Sequence, residues 1–149
     1  MSQDFILGDE TLWNPSNGAA RLFLRQVELF EAELGLPSGI GPMECDEARI
    51  DPALFGTFVH ALLTRHRRTS HTSHTIILTL SEGFTATALA LAERAGIELD
   101  WAELAAMPRG ARSDVQISVG TGMSTPAEPD AWAAALREKA AYVSRHMAR

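Results

Sequence analysis

Cysteine, lysine and long apolar runs are scarce in this sequence, and each shortage excludes a class of protein. Cys45 is the only cysteine, so an intramolecular disulfide is impossible and a cysteine-rich zinc site is excluded. The longest apolar stretch, residues 76–92, is interrupted by Thr, Ser, Glu and Gly, and no run approaches the roughly 20 apolar residues that cross a bilayer. Residues 1–10 have no basic region or long apolar stretch, so we expect no signal peptide and a cytoplasmic protein.

Positive charge is also in deficit. The chain has 13 Lys and Arg against 19 Asp and Glu, a net charge of −6. Phosphates would be repelled on average, so we expect no nucleic-acid partner. Lys139 is the only lysine, and the preference for Arg, Ala, Leu and Gly indicates a GC-rich coding genome.

What remains is an ordinary globular composition. The 149 residues have the usual size of one domain, and 46% of them are hydrophobic. A chain of this length buries roughly 70% of its unfolded surface and needs no covalent cross-link. We therefore expect a single globular domain over residues 1–149, without a cofactor.

Periodicity predicts a mainly α (α+β) fold, in which about four main helices form the core beside a small antiparallel β element. Short extended pieces over residues 4–13 turn at Gly8-Asp9, and Asn14-Pro15 is a helix start signal. Gly35 ends that helix. Its apolar face consists of Phe23, Val27, Phe30 and Leu34.

Two further helices follow a loop over 36–42 and an extended segment over 43–50. Asp51-Pro52 starts the first, which ends near Arg68. The next helix runs from about His74 to Ala95 and is the most buried element. The alternative is a strand over 75–79 followed by a helix capped by Ser81, because this stretch is β-branched.

The last third of the chain alternates loops and helices. Asp100 and Glu103 have capping-box spacing, which predicts a short helix over 99–107. A basic loop over 108–113, a strand over 115–119 and a loose stretch over 120–126 follow. The final helix starts near Pro129 or Asp130. Its buried residues are Trp132, Leu136, Val143 and Met147.

The acidic stretch Glu44, Asp46 and Glu47 is the first candidate for chemistry. On an extended segment Glu44 and Asp46 share one face, and paired carboxylates serve acid–base catalysis or bind a hard cation. We favour the alternative of a solvated edge strand whose charges prevent aggregation. Cys45 fits a small buried apolar group better than a nucleophile.

Histidines form the second candidate group. His66, His71 and His74 lie within nine residues, and imidazole is a common metal ligand. Their spacing matches no metal motif, and the arginines within 65–68 would repel a cation, so we expect no bound metal. His66 turns toward the apolar side of its helix and should be partly buried, whereas His60 should face solvent.

Glu82 is the third candidate, because it lies in the most hydrophobic segment of the chain. If its side of the helix is solvated, it is a surface charge, which we favour; if it is covered, the carboxylate suits acid–base catalysis. Gly83 costs a helix about 1 kcal/mol relative to Ala, which suggests close approach by another backbone. Trp13, Trp101 and Trp132 are assigned to the core.

Three groups of residues carry a resemblance to known proteins. They are Thr11-Leu12-Trp13-Asn14-Pro15, Gly41-Pro42-Met43 with Asp46-Glu47 and Ile50-Asp51, and Leu80-Ser81-Glu82-Gly83-Phe84. The chain resembles, over most of residues 3–97, a small family of single-domain bacterial proteins of unknown function from GC-rich genomes. The resemblance implies a discrete stand-alone domain and adds no activity.

The sequence leaves three classes of function open. The first, which we favour, is an accessory, regulatory or immunity-type protein that binds a partner protein, since an acidic surface speeds encounter with a basic partner. The second is a small cofactor-independent isomerase, cyclase or hydrolase. Its acid–base residues would be Glu82, Asp46, Glu47, Glu44 and His66. The third is a binder of an apolar small molecule between helices, and a homo-oligomer is compatible with each class.

Overall fold

A computed structural model of the protein describes residues 1–69, 75–107 and 129–149. Within these ranges the chain is mainly helical with a small sheet, as the periodicity predicts. The elements in chain order are β1 (Asp4–Leu7), β2 (Glu10–Trp13), α1 (Asn17–Leu34), β3 (Glu47–Arg49), α2 (Pro52–Arg68), α3 (Thr75–Arg94), α4 (Trp101–Ala106) and α5 (Pro129–His146).

The sheet has the order β2-β1-β3. β1 and β2 form the predicted antiparallel hairpin around Gly8. The φ of Gly8 is 60°, a left-handed conformation that glycine adopts without steric cost because it has no Cβ. β3 then pairs with β1 in parallel, with Phe5 beside Ala48. The sheet is therefore mixed. β3 begins 34 positions after β2 ends (Trp13 to Glu47), and this connection is long enough to bring the chain back parallel to β1.

The predicted start of α1, with Asn14 as cap and Pro15 as first helical residue, is two residues early. The helix begins at Asn17, and its cap is Ser16, whose hydroxyl accepts a hydrogen bond from the Ala19 N–H. The Asn14 amide instead donates to Asp4 Oδ1 at 2.6 Å, so it ties the sheet to the helix entry. The predicted end is confirmed, because Gly35 adopts the left-handed conformation at φ 65°.

α2 and α3 form the long antiparallel pair at the centre. The Asp51 carboxylate accepts from the N–H groups of Ala53 and Leu54 and caps α2 as predicted. α3 is one helix, so the alternative of a strand followed by a shorter helix is wrong. Its second half, from Phe84 to Ala92, lies mostly in the core, whereas Ile76 and Leu80 are 72% and 75% exposed. The predicted apolar stripe is thus covered over only part of its length.

α3 is also the one helix in the described ranges that is long and apolar enough to cross a membrane, over Ile76–Arg94. The interruptions noted in the sequence are mostly Thr, Gly and Ser, which lower the apolar character only slightly. Half of this stretch is buried inside the protein, and the core helix of a soluble protein meets the same criterion.

α4 and α5 complete the helical layer. Asp100 accepts from the Glu103 N–H at 2.8 Å and caps α4, which confirms the predicted short helix, although it covers Trp101–Ala106 and not all of 99–107. The predicted basic loop, strand and loose stretch over 108–126 lie outside the described residues. α5 starts at Pro129 as predicted and buries Trp132 and Leu136, while Val143 is half-buried. Met147, just after the helix ends at His146, is also buried.

Aromatic rings join the sheet to the helices. Phe5 stacks on Trp13 with centroids 5.2 Å apart, and Phe23 of α1 contacts both edge-on. Phe84 of α3 contacts Phe23 and stacks on Phe30 at 4.7 Å. α1 and α3 therefore meet largely through phenylalanine rings, and this spacing leaves a groove between the two helices.

Candidate functional site

The acidic stretch is a tight turn and not an extended segment. Cys45 and Asp46 have φ values of 50° and 65°, and Glu44 and Glu47 exchange two backbone hydrogen bonds of 2.9 Å. The expectation that Glu44 and Asp46 share one face of a strand is therefore wrong, because left-handed residues reverse the chain between them. Cys45 is exposed, contrary to the expected buried position.

These carboxylates stand apart from the other candidate residues. Glu47 lies 3.5 Å from the Arg49 guanidinium on the exposed edge of β3. Within the described ranges, no hydrogen bond or ion pair joins this turn to Glu82 or His66. No set of three or more His, Cys, Asp or Glu in those ranges is arranged to hold a metal ion. His71 and His74 lie outside the described residues.

Glu82 lies at the margin between α3 and α5. Its Oε2 is 2.7 Å from Lys139 Nζ, and both side chains are about two-fifths exposed. The carboxylate is neither a free surface charge nor a buried group, because α5 covers one side of it. Its partner Lys139 is the only lysine of the chain.

His66 is buried, with 5% of its surface exposed, so the predicted burial is confirmed. Its Nδ1 accepts a 2.9 Å hydrogen bond from Trp132 Nε1. Desolvation lowers the pKa of His66, while the nearby Glu82 carboxylate raises it and Lys139 lowers it. With Nδ1 engaged as an acceptor, the neutral ring carries its proton on Nε2, which has no hydrogen-bond partner in the described part of the chain.

Arg67 is a buried charge that sequence reasoning missed. Its guanidinium stacks over the Trp132 ring at 5.3 Å and donates to the carbonyl oxygens of Ala105 and Met107. Arg67 and Trp132 thus fix the end of α4 against α2 and α5. The sequence signal that could have indicated a buried charge was the run of arginines at the end of α2, of which Arg67 turns inward.

His60 takes an intermediate position. Its side chain is 33% exposed and not fully solvated, because Nε2 lies 3.5 Å from a carboxylate oxygen of Glu103 on α4. This pair bridges α2 and α4 when the imidazole is protonated.

A second feature, not predicted from the sequence, is an exposed apolar face. The described residues include eight exposed large hydrophobic side chains, and six of them belong to this face. They come from α1, α3 and α5, and their exposed fractions range from 40% to 75%: Leu22, Leu29, Ile76, Ile77, Leu80 and Tyr142. We call these six residues the apolar face.

The apolar face surrounds the groove between α1 and α3. One cavity of about 320 Å³ includes Leu22 and Tyr142, and a second of about 250 Å³ includes Leu29 and Leu80. Gln26 lines both cavities, so they lie next to each other along α1. Phe23 lies in the first cavity and Phe30 in the second.

Gly83 is exposed on α3, about one turn from Leu80, which lines the groove. A Cβ at this position would meet nothing within 4 Å. The predicted close approach of another backbone to Gly83 is therefore wrong within the described chain. The groove also carries little unbalanced charge, because Glu33 and Arg65, which both line it, form an ion pair of 2.9 Å.

The fold and these features define a mainly helical α+β protein with a buried histidine and an exposed apolar groove. The chain belongs to the family of unknown function DUF6086, whose profile matches residues 1–149, in agreement with the resemblance of its motifs. No curated protein and no solved structure matches the chain.

Proposed function

We propose that this protein acts by binding another protein through the apolar face, in an accessory, regulatory or immunity-type role. The observation that carries the proposal is the concentration of exposed hydrophobic residues around one groove, since five of the six line its two cavities. At their exposed fractions the six side chains present roughly 600 Å², at the upper end of the largest patch that a soluble monomer usually leaves in water. Exposed patches of this size are typical of protein–protein contact surfaces.

The shape of the groove supports a protein partner over a small molecule. The two cavities, of about 320 and 250 Å³, lie at or below the lower limit of ligand pockets and are widely open to solvent. An apolar small molecule would remain largely hydrated there. A helix laid between α1 and α3 would cover both cavities and the residues around them at once.

The expected setting is the cytoplasm of a bacterium with a GC-rich genome. The exposed free thiol of Cys45 suits a reducing compartment. The chain has a net charge of −6, but the groove itself is close to neutral, so the contact does not require a basic partner.

A second candidate function is a small acid–base enzyme, and the proximity of His66 to Glu82 and Lys139 favours it. His66 would then act through its Nε2–H as a hydrogen-bond donor, since Trp132 occupies Nδ1. Glu44, Asp46 and Glu47 would take no part, because they lie in the separate turn before β3. Loss of a biological activity in both His66→Asn and Glu82→Gln, with the apolar face intact, would favour catalysis.

Site-specific photo-crosslinking in the native host tests the proposal. A photoreactive phenylalanine analogue replaces Leu80, which is 75% exposed on the apolar face, and in a control it replaces Leu54, which is 44% exposed on the first turn of α2. We expect one dominant protein adduct from position 80 and none of that mass from position 54. Equal labelling from both positions, or none from position 80, would contradict the proposal.

A further inference from the structure

We propose that the occupant of the apolar face is a second copy of this chain, so that the protein is a dimer in which the two groove faces pack on each other. The inference rests on the proposed function, since it names the partner of the same surface. Three properties of the face support it: its area, its shape and its charge.

The area matches what a dimer needs. Two apolar faces of roughly 600 Å² each would bury about 1,200 Å² together, the lower limit of a specific interface. The flanking side chains, such as Gln26 and Thr87, add to this area.

The shape is self-complementary. An interface with two-fold symmetry uses the same patch on both copies, so the patch must contain a projection and a recess that fit each other. Leu22 and Leu29, two helical turns apart on α1, project beside the groove. The cavity of about 250 Å³ beside Ile77 and Leu80 is the recess.

The charge of the face permits two copies to meet. The chain has a net charge of −6, and like charges would repel if they lay on the contact surface. The acidic turn, which includes Glu44 and Asp46, lies instead at the sheet. In the groove Glu33 is paired with Arg65 within each chain, so neither copy brings an unpaired carboxylate to the contact.

Analytical ultracentrifugation of the full-length protein tests the dimer. We expect the mass to reach about twice 16.2 kDa as the protein concentration is raised to about 100 μM. Leu80→Glu brings two carboxylates into the apolar contact and should weaken dimerisation by about a hundredfold or more. The matched control Leu54→Glu, on an exposed leucine outside the apolar face, should leave the dimer intact.

A second variant separates shape from charge. Gln26→Trp replaces a half-buried residue that lines both cavities, so the monomer should fold, but the indole fills the groove. We expect it to weaken the dimer, with the helical circular dichroism of the wild type retained. A wild type that is monomeric at every concentration, or a dimer that both variants leave unchanged, would overturn the inference.

The crosslinking experiment distinguishes this inference from the proposed function. An adduct at position 80 with twice the mass of the chain supports the dimer. An adduct with a different protein, together with a monomeric wild type, overturns the dimer and leaves the proposed function standing. A monomer without an adduct at position 80 overturns both.

Discussion

Trp132 Nε1 donates to Nδ1 of His66 across the contact between α5 and α2, at a distance of 2.9 Å. The two rings are 5.9 Å apart, and both residues are more than nine-tenths buried. This hydrogen bond requires a lone pair on Nδ1, so it exists only with the tautomer that carries its proton on Nε2. Protonation of Nδ1 would place two N–H groups against each other in an apolar contact.

The first prediction concerns stability at acidic pH. Burial lowers the pKa of His66 below the usual value of 6.5, which the unfolded chain retains. The unfolded state therefore binds more protons as the pH falls below 6.5, and the contribution of His66 is complete above that pH and decreases below it. The free energy of unfolding should fall by up to about 1.4 kcal/mol per pH unit from this group.

Urea unfolding of the wild type and of His66→Asn across pH 7.5 to about 5 measures this contribution. The Asn side chain keeps an acceptor for Trp132 and cannot titrate in this range. The difference in the free energy of unfolding between the wild type and His66→Asn should narrow as the pH falls. A difference that stays constant would show that His66 does not cause the loss of stability. Glu82 and Lys139 lie near position 66 in both proteins, so any titration of their own cancels in the comparison.

The second prediction concerns Arg94, which joins the end of α3 to two other elements. Its guanidinium donates to the carbonyl oxygens of Leu12, Ser144 and Met147 at 2.6 to 2.8 Å, and its Nε donates to the Ser144 hydroxyl. It thereby donates to carbonyls at and just after the C-terminus of α5, where a helix has few N–H partners of its own.

Arg94→Lys should therefore destabilise the protein by about 2–4 kcal/mol, because one ammonium cannot reproduce the planar arrangement of donors. The control is Arg145→Lys, on the exposed side of α5, which should change the free energy of unfolding by less than about 0.5 kcal/mol. Thermal or urea unfolding measures both. Equal effects of the two substitutions would contradict the assigned role of Arg94.

Much of the fold follows from local signals in the sequence. Asp51, Gly35 and Asp100 mark helix ends because their side chains or conformations act on backbone groups only a few residues away. The same local logic failed at Asn14, where a carboxylate 10 residues earlier in the chain takes the amide. It failed again at the acidic turn, because charge does not report the left-handed conformation of Asp46.

The site was less predictable, because it depends on which turns of a helix are covered. Ile76, Leu80 and Phe84 share one stripe of α3, yet only Phe84 lies beneath α1. Periodicity identifies an apolar stripe on a helix, but it does not show how much of that stripe the neighbouring helices cover. Burial of His66 could be predicted from its angle on α2, whereas its partner Trp132 lies 66 residues away and could not.

The third prediction concerns Gly83. This residue is helical, and an added Cβ would meet nothing within 4 Å. Gly83→Ala should raise the free energy of unfolding by about 0.5–1 kcal/mol, since Ala loses less conformational entropy in a helix. The measurement belongs in the Leu80→Glu background at low protein concentration, where no dimer contributes. A destabilised variant would show that Gly83 is in contact with another part of the chain.

The fourth prediction concerns Gly39, which the loop before α2 requires as glycine. Its φ is 77°, and a Cβ would lie 2.7 Å from Leu54 Cβ, 2.8 Å from Phe55 N and 2.9 Å from Asp51 O. Two of these atoms belong to the backbone of the first turn of α2 and cannot move without loss of the Asp51 cap. Gly39→Ala should therefore lower the free energy of unfolding, measured in urea, by about 3 kcal/mol or more.

The control is Gly35→Ala. Gly35 has a similar φ of 65° with open space around it, so this substitution should cost only the left-handed strain of about 1 kcal/mol. Equal losses would mean that backbone conformation alone, and not contact with α2, decides the requirement at Gly39.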